Sequence, residues 1–421
     1  MKLLSFESFV NEMYQPIFEG GAAGHMMHPF DDADLTFDDF IKMIQAGLSG
    51  DLNFEEEPTE KTDGQNIFAT VKDGKAMFAR NKGQLKDPLS LDGVNTMFAD
   101  HPSEQVKATF TLAAKDLAKG LEGLSKKDQD SYFENGVNFM NMELIYSKNS
   151  NVINYDRDVI QFHGIKKTDG QGNIVGEDNK AAKDLAKIIK DANNHIGEVF
   201  EIIPPQALKV AKDAEFDEKL DYFVAKVYKL QDGFNLSLTD PVSKYHEAWW
   251  RKQIDGKFPD LDQAHKDGLV LRWAYDDKKS LDMRALAKLV SPKELEAIKD
   301  FEKEDLKKKY KENIRPFEDL FLELGSVVLK NASNFLALSP DKEMQRLHDT
   351  IRKEAEAIKL NGDVKQIEKV ESELARLARI GGIESIIPTE GLVFKFKGGL
   401  YKLTGTFAAI NQLMGIIKYG R

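Results

Sequence analysis

The chain has 421 residues, of which 41% are hydrophobic and 31% charged, with no cysteine and a formal net charge of −11. That length and apolar content can fill one large core or two ordinary ones, and the lack of cysteine excludes disulfides and thiolate metal sites. No apolar run approaches the ~20 residues that cross a bilayer, so a cytoplasmic protein without a membrane partner is expected. Acidity does not exclude nucleic acid. Residues 1–60 carry thirteen Asp or Glu against Lys2 and Lys42, which accounts for the whole excess and leaves the remaining chain balanced.

In chain order, Phe6, Phe9, Val10 and Met13 recur at helical spacing until Pro16 stops them. Gly20-Gly21-Ala22-Ala23-Gly24 follows as a connector without a packing stripe. Phe37, Ile41, Ile44 and Leu48 predict an amphipathic helix that closes near Gly47 and Gly50. Over residues 66–80 the pattern changes to strands around Asp73-Gly74, a favoured hairpin turn. Residues 102–130 read as helix, and strand character returns at 142–146 and 159–165. The stretch that follows, to about residue 380, is mostly helical and highly charged. Ala182, Leu185, Ile189, Ala192 and Ile196 form one stripe, closed by Pro204-Pro205, and Ser291-Pro292-Lys293-Glu294 reads as a capping box. Met344, Leu347, Ile351 and Ile358 form a stripe broken by Asn361-Gly362, and Ile367, Val370, Leu374 and Leu377 form another that ends at Gly381-Gly382. These last two predict a helical hairpin that returns the chain to residue 390.

Two short stretches carry the chemistry. Glu60-Lys61-Thr62-Asp63-Gly64-Gln65-Asn66 sets a lysine in a tight K-x-D-G turn, and lysine becomes a nucleophile once its proton is lost. Glu390-Gly391-Leu392-Val393-Phe394-Lys395 leads into Tyr401-Lys402-Leu403-Thr404. With Gly398-Gly399 as a two-residue turn, Lys395 would face Lys402 and Val393 would face Thr404. Leu392, Phe394, Phe396, Tyr401 and Leu403 would then share the apolar face. Two facing lysines repel unless an anion lies between them, and a triphosphate is such an anion.

In this order the two stretches resemble the covalent nucleotidyltransferases, the superfamily of ATP-dependent DNA ligases, RNA ligases and mRNA-capping enzymes. The resemblance implies an α+β fold. Its adenylation core of antiparallel sheets would span residues 20–165 and 381–421, with a large α-helical insertion over 166–380. No C-terminal OB-fold is expected, because 17 residues follow Thr404. The resemblance further implies ATP as AMP donor, Mg²⁺, and Lys61 as the residue that is adenylylated. Arg80 would contact the nucleotide sugar or the incoming end, Glu143 the ribose, and Phe162 would stack on adenine. Glu390 would lie at the metal, with Lys395 and Lys402 on phosphate. Glu60-Lys61-x-x-Gly64-x-Asn66 is most similar to the nick-sealing RNA ligases, which makes Asn66 a substrate-side contact. Thr404 stands where the family has a second alternating lysine. The expected activity is ATP-dependent RNA ligation of 5′-phosphate and 3′-hydroxyl ends by a monomer. A DNA ligase or another adenylyltransferase is the enzymatic alternative. A non-catalytic virion or nucleic-acid-binding protein on a ligase fold is the alternative from another class.

Other features invite weaker readings. Asp267-Gly268-Leu269-Val270-Leu271-Arg272 competes with the Glu390 stretch but has no lysine strand after it. His25 and His28 lack further ligands and read as solvent-facing or capping groups. Trp249-Trp250 reads as core before it reads as a base-stacking platform, and the lysines at 307–311 as a wet helix face. Residues 1–19, with Ile17-Phe18-Glu19 before Gly20, resemble the cleavable capsid-targeting leaders of large tailed phages. That resemblance implies packaging in the phage head and delivery to the host cytoplasm.

Overall fold

The computed structural model describes residues 26–177, 185–275, 283–288 and 290–419; the leader-like residues 1–19 and His25 lie outside them. Two sheets organise the chain, linked by the K-x-D-G turn. The first strand, β1 (Thr59–Lys61), belongs to the smaller sheet, and β2 (Gln65–Lys72) opens the larger one. β3 (Lys75–Ala79) returns along β2 through Asp73-Gly74, as the sequence predicts. β4 (Asn138–Ile145), β5 (Val159–Thr168) and β6 (Ile174–Glu177) complete the order β3-β2-β4-β5-β6. β7 (Glu201–Ile203) adds to the start of β5 in parallel.

Strand alternation gives this sheet two faces. Ile67, Ala69, Met142, Leu144, Ile160 and Phe162 lie on one, covered by Phe110, Ala114 and Leu117 of the helix Glu104–Glu122 and by Ile188 of Leu185–Asn193. Residues 166–177 and 185–203 therefore complete the sheet and its helical cover, and do not open the helical insertion expected from 166 onward. A three-residue strand such as Glu201–Ile203 is too short for periodicity to declare.

β8 (Lys209–Val210) and β9 (Ala332–Ser333) form a small separate ladder. β10 (Gly391–Phe396) and β11 (Gly399–Leu403) join β1 in the order β1-β10-β11, all antiparallel. Their turn is Lys397-Gly398, with φ of 48° and 76°, and not Gly398-Gly399. Lys402 therefore faces Val393, and Lys395 faces Leu400, which corrects the expected Lys395–Lys402 pairing. The register moves by two residues, so every side chain keeps its predicted face, while the two like charges leave direct opposition. The buried face, including Leu392, Phe394 and Tyr401, packs with Phe40 of the helix Phe37–Ser49 and Phe321 of Leu306–Lys330. Phe37–Ser49 begins at a capping box between Thr36 and Asp39.

Pro340–Asn361 and Val364–Arg379 form the expected helical hairpin, with Leu347, Ile351, Val370 and Leu377 in a shared core. The predicted capping box of Ser291 and Glu294 opens the helix Pro292–Asp300. Asp267 and Arg272 lie in the helix Gln263–Tyr275, where Leu269 and Trp273 pack one turn apart against the fully buried Trp250. The rival strand is thus helix, and the tryptophan reads as core. The fold is α+β, helices on antiparallel sheets with one parallel pairing between strands among the described residues. No helix among the described residues is long and apolar enough to cross a membrane.

Candidate active site

The pairing of β1 with β10 sets Lys61 against Gly391. Lys61 Nζ donates a hydrogen bond to Glu390 Oε1 across 329 positions, with the two side chains 21% and 20% exposed. From there the turn crosses to the large sheet. Thr62 Oγ1 donates to Glu143 Oε2 at 2.6 Å, and Gly64 N donates to Glu143 Oε1 at 2.9 Å. A Cβ on Gly64 would lie 2.5 Å from Glu143 Cγ and 2.7 Å from the Leu144 carbonyl oxygen, so the crossing requires glycine. Asp63 turns away from the reacting side. Its Oδ2 accepts from Val152 N (2.6 Å) and Ile153 N (2.9 Å), and its own N–H donates to Tyr155 Oη (2.8 Å). Asn151 Nδ2 donates to the Gly64 carbonyl at 2.9 Å. The loop at 151–155 thereby clamps the turn and fixes where Lys61 begins.

Three carboxylates act on one ammonium. Burial by itself would lower the Lys61 pKa, but Glu390, Glu143 and Asp63 outweigh it and hold the group charged. Burial raises Glu390, assisted by Glu143 and opposed by Lys61 and Lys402. Burial, then Glu390, pushes Asp63 up to about 7 against the two amides that bind it. Glu143 is buried as well, yet the His163 ring at 3.1 Å and the nearby positive charge hold it below its ordinary value. Among the described residues no group of three or more His, Asp or Glu forms a ready metal cage. Glu390 and Glu143 are the carboxylates that could share a cation with a phosphate.

Of the residues singled out in the sequence, Lys61, Glu143 and Glu390 converge. Lys402 lies on the Lys61 face of the small sheet, in the row Thr59–Val393–Lys402, and its charge reaches Glu390. Asn66 is the cross-strand neighbour of Glu143; its Nδ2 donates to Asn141 Oδ1 (2.7 Å) and the Met142 carbonyl (3.2 Å), while its buried Oδ1 accepts no hydrogen bond among the described residues. Lys395 lies about 13 Å along the strand from Gly391 at ~3.3 Å per residue. It pairs with Glu56 at 3.0 Å.

Two expectations are corrected. The Arg80 guanidinium sits 4.2 Å from the centre of the Phe110 ring and 5.8 Å from that of Phe98, on the helix-covered side of the sheet, so it does not reach a nucleotide on the Glu143 side. Phe162 is 1% exposed in the helix-covered core, opposite Met142, whereas Glu143 faces Gln161. Adjacent strand residues point to opposite faces, so Phe162 cannot stack on a base held by Glu143. The alternation of Ile160 and Phe162 with Gln161 and His163 already carried that signal. The ring that does meet Glu143 is His163, brought there where a bulge shifts the β4–β5 register. Gln161, fully buried beside it, has no partner for either amide atom among the described residues.

His28 is the other residue that sequence reasoning missed. Residues 26–28 run along β11: Met27 bridges to Tyr401, and Lys402 N donates to the Met27 carbonyl at 2.8 Å. The imidazole is half-buried, and burial, then Lys402, Lys61 and Arg376, lowers its pKa well below the ordinary value. No local pattern in the sequence could have announced this, because each neighbour comes from a distant segment. No protein-family model matches the sequence, and no curated protein or solved structure matches the chain.

Proposed function

We propose that the protein is an ATP-dependent polynucleotide ligase on a nucleotidyltransferase-type core, acting through a lysyl-AMP intermediate at Lys61, with RNA as the favoured polymer. The observation that carries this reading is the meeting of Lys61 with Glu390, beside a Glu143 that is bonded to the same turn. Gathering three carboxylates around one half-buried ammonium does little for stability. It suits a site that must aim an amine at a phosphate and control its proton.

In the first step the Lys61 nitrogen, having given up one proton, attacks the α-phosphorus of ATP. The bond to the bridging oxygen breaks, pyrophosphate leaves, and a second proton departs as the N–P bond forms. Glu390 already accepts a hydrogen bond from Nζ and is the proton acceptor in place. Because the carboxylates hold the ammonium charged, this step begins with transfer of a proton from Nζ to Glu390. Glu143 uses three of its roughly four lone-pair sites on Thr62, Gly64 and His163, which leaves one for a ribose hydroxyl. Glu390 fits a Mg²⁺–ATP complex, since Mg²⁺ is held by one or two carboxylates together with substrate phosphates, and the ion would offset charge on the transferring phosphate. AMP then passes from Lys61 to a 5′-phosphate end. A 3′-hydroxyl attacks that end, closing the phosphodiester and releasing AMP.

The test is direct. Incubation with α-labelled ATP and Mg²⁺ should leave label on the chain through a denaturing gel, with the intact mass raised by one AMP. Lys61→Ala should lose both signals. An adduct that persists in Lys61→Ala, or a wild-type chain that forms none, would overturn the proposal.

A further inference from the structure

The segment that leads into the helical hairpin is fastened to the Lys61 turn at several points. Leu336 N donates to the side chain of Glu60, one residue before Lys61, at 2.8 Å. Ala337 bridges to Tyr155, and Leu338 N donates to the Asn154 carbonyl at 3.1 Å. The start of the helix Pro340–Asn361 then holds the same loop. Glu343 Oε1 accepts from Asn154 N at 3.1 Å, and Arg346 Nη2 donates to the Val152 carbonyl. Arg346 Nε lies 3.0 Å from both Glu343 oxygens, so the two side chains act as one unit. Val152 uses its two backbone groups in opposite directions, its N–H on Asp63 Oδ2 and its carbonyl on Arg346. A single residue thus links the helix to the turn that carries Lys61.

Glu343 does not match its place on the helix. The buried positions recur every four residues, at Glu343, Leu347, Ile351 and Ala355, and of these four only Glu343 is charged. A buried ion pair is weak evidence for stability, and an apolar side chain of similar volume often serves a core as well or better. What an apolar side chain cannot do is accept the Asn154 amide and aim the Arg346 fork at the Val152 carbonyl. The pair fixes the loop at 152–154 and, through Asp63, the point from which the Lys61 side chain starts. Attack on phosphorus tolerates little displacement, since a misplacement of about 1 Å can cost on the order of 100-fold in rate.

We propose that Glu343 and Arg346 are positioning residues for Lys61, acting through Val152, Asn154 and Asp63. This rests on the adenylylation reading and extends it to a helix that no motif includes. Losing the pair lowers the rate at which Lys61 is adenylylated. It leaves the ATP concentration for half-maximal rate in place, because neither side chain touches the nucleotide. Sealing of an end that already carries AMP makes no bond to Lys61 and does not depend on the pair. The helical hairpin thereby acquires a role, since its first helix delivers both residues.

The test uses the full chain and three variants. Glu343→Leu continues the apolar stripe and removes the carboxylate, Arg346→Met removes the Val152 contact from a position one-third exposed, and Glu343→Gln keeps an oxygen for the Asn154 amide. Hydrogen exchange read by mass spectrometry reports the coupling without any chemistry. In Glu343→Leu and Arg346→Met, peptides over residues 60–66 and 150–156 should exchange roughly 10-fold faster, while those over the helix Glu104–Glu122 keep their protection. Single-turnover adduct formation at saturating ATP should slow by roughly 10-fold to 100-fold in both, with the ATP concentration for half-maximal rate within about 3-fold of wild type. Glu343→Gln should stay within about 3-fold of wild type in rate, and sealing of a pre-adenylylated nick within about 2-fold in all three. Unchanged exchange in both Glu343→Leu and Arg346→Met overturns the inference, as does faster exchange with an unchanged adduct rate. An equal loss on the pre-adenylylated nick, or of protection in Glu104–Glu122, overturns it too. A wild-type chain that forms no adduct, in which the variants still loosen residues 60–66 and 150–156, would overturn the ligase reading alone.

Discussion

Replacing Glu60 by glutamine should make the protein more stable above neutral pH. Glu60 precedes Lys61 on β1, on the face shared with Leu392, and is 1% exposed. Its Oε2 accepts from Leu336 N at 2.8 Å. Burial raises its pKa from 4.5 to about 7, with the Leu336 amide opposing. The unfolded carboxyl therefore loses its proton near pH 4.5 and the folded one only near 7. Between those values the folded chain holds the extra proton, so stability falls as pH rises through the window, and above it the penalty is complete. A separation of about 2.5 pH units corresponds to about 3 kcal/mol. The glutamine can still accept from Leu336 and never ionises. At ~2.1 cal/mol/K of unfolding entropy per residue, a chain of this length gains roughly 1 °C per kcal/mol, so the expected rise is roughly 3 °C. Thermal unfolding followed from pH 5 to pH 8.5 should give coincident midpoints at the acid end, with Glu60→Gln higher by that amount at pH 8. Asp31 and Asp63 also titrate near 7, but they do so in both proteins and cancel in the comparison. Parallel curves for the two proteins would refute the reasoning.

Gly64→Ala should force β2 away from Glu143 and Leu144, costing about 1–3 kcal/mol as overpacking does and cutting adduct yield at least 10-fold; unaltered melting and yield would show that the crossing tolerates a side chain. Phe162→Ala should cost about 3–5 kcal/mol in unfolding measurements as a core truncation, while the milder Phe162→Leu leaves the ATP dependence of adduct formation unchanged; a selective loss of ATP affinity in Phe162→Leu would return the residue to the adenine pocket. Glu390→Ala should abolish the adduct, whereas Asp267→Ala, which removes a half-exposed helix residue paired with Arg251 at 2.7 Å, should cost less than about 1 kcal/mol and leave the adduct intact; the reverse pattern would relocate the active site. A nick with RNA on its 3′-hydroxyl side should be sealed faster than an all-DNA nick, and gel assays showing equal or better sealing of DNA would favour a DNA ligase.

What the sequence determined by itself was local. Period-two alternation sorted Leu392, Phe394, Phe396, Tyr401 and Leu403 onto the buried face, and Asp73-Gly74 and the Ser291–Glu294 capping box marked a turn and a helix start. These features follow from spacing along the backbone, and tertiary contacts do not alter the spacing. The hairpin register was beyond such reasoning, because Lys397-Gly398 and Gly398-Gly399 are both workable turns and a shift of two residues leaves every face unchanged. The faces of Phe162 and Arg80 were legible in their own strands, through Ile160 and Phe78, but a position-by-position likeness does not weigh alternation. Only the folded chain decided that β1 pairs with β10, that His163 reaches Glu143 at a bulge, and that residues 26–28 run along β11 beside Lys402. Each of those contacts joins segments far apart in sequence, and the burial of side chains from several elements at once sets their geometry, which no window along a single strand or helix contains.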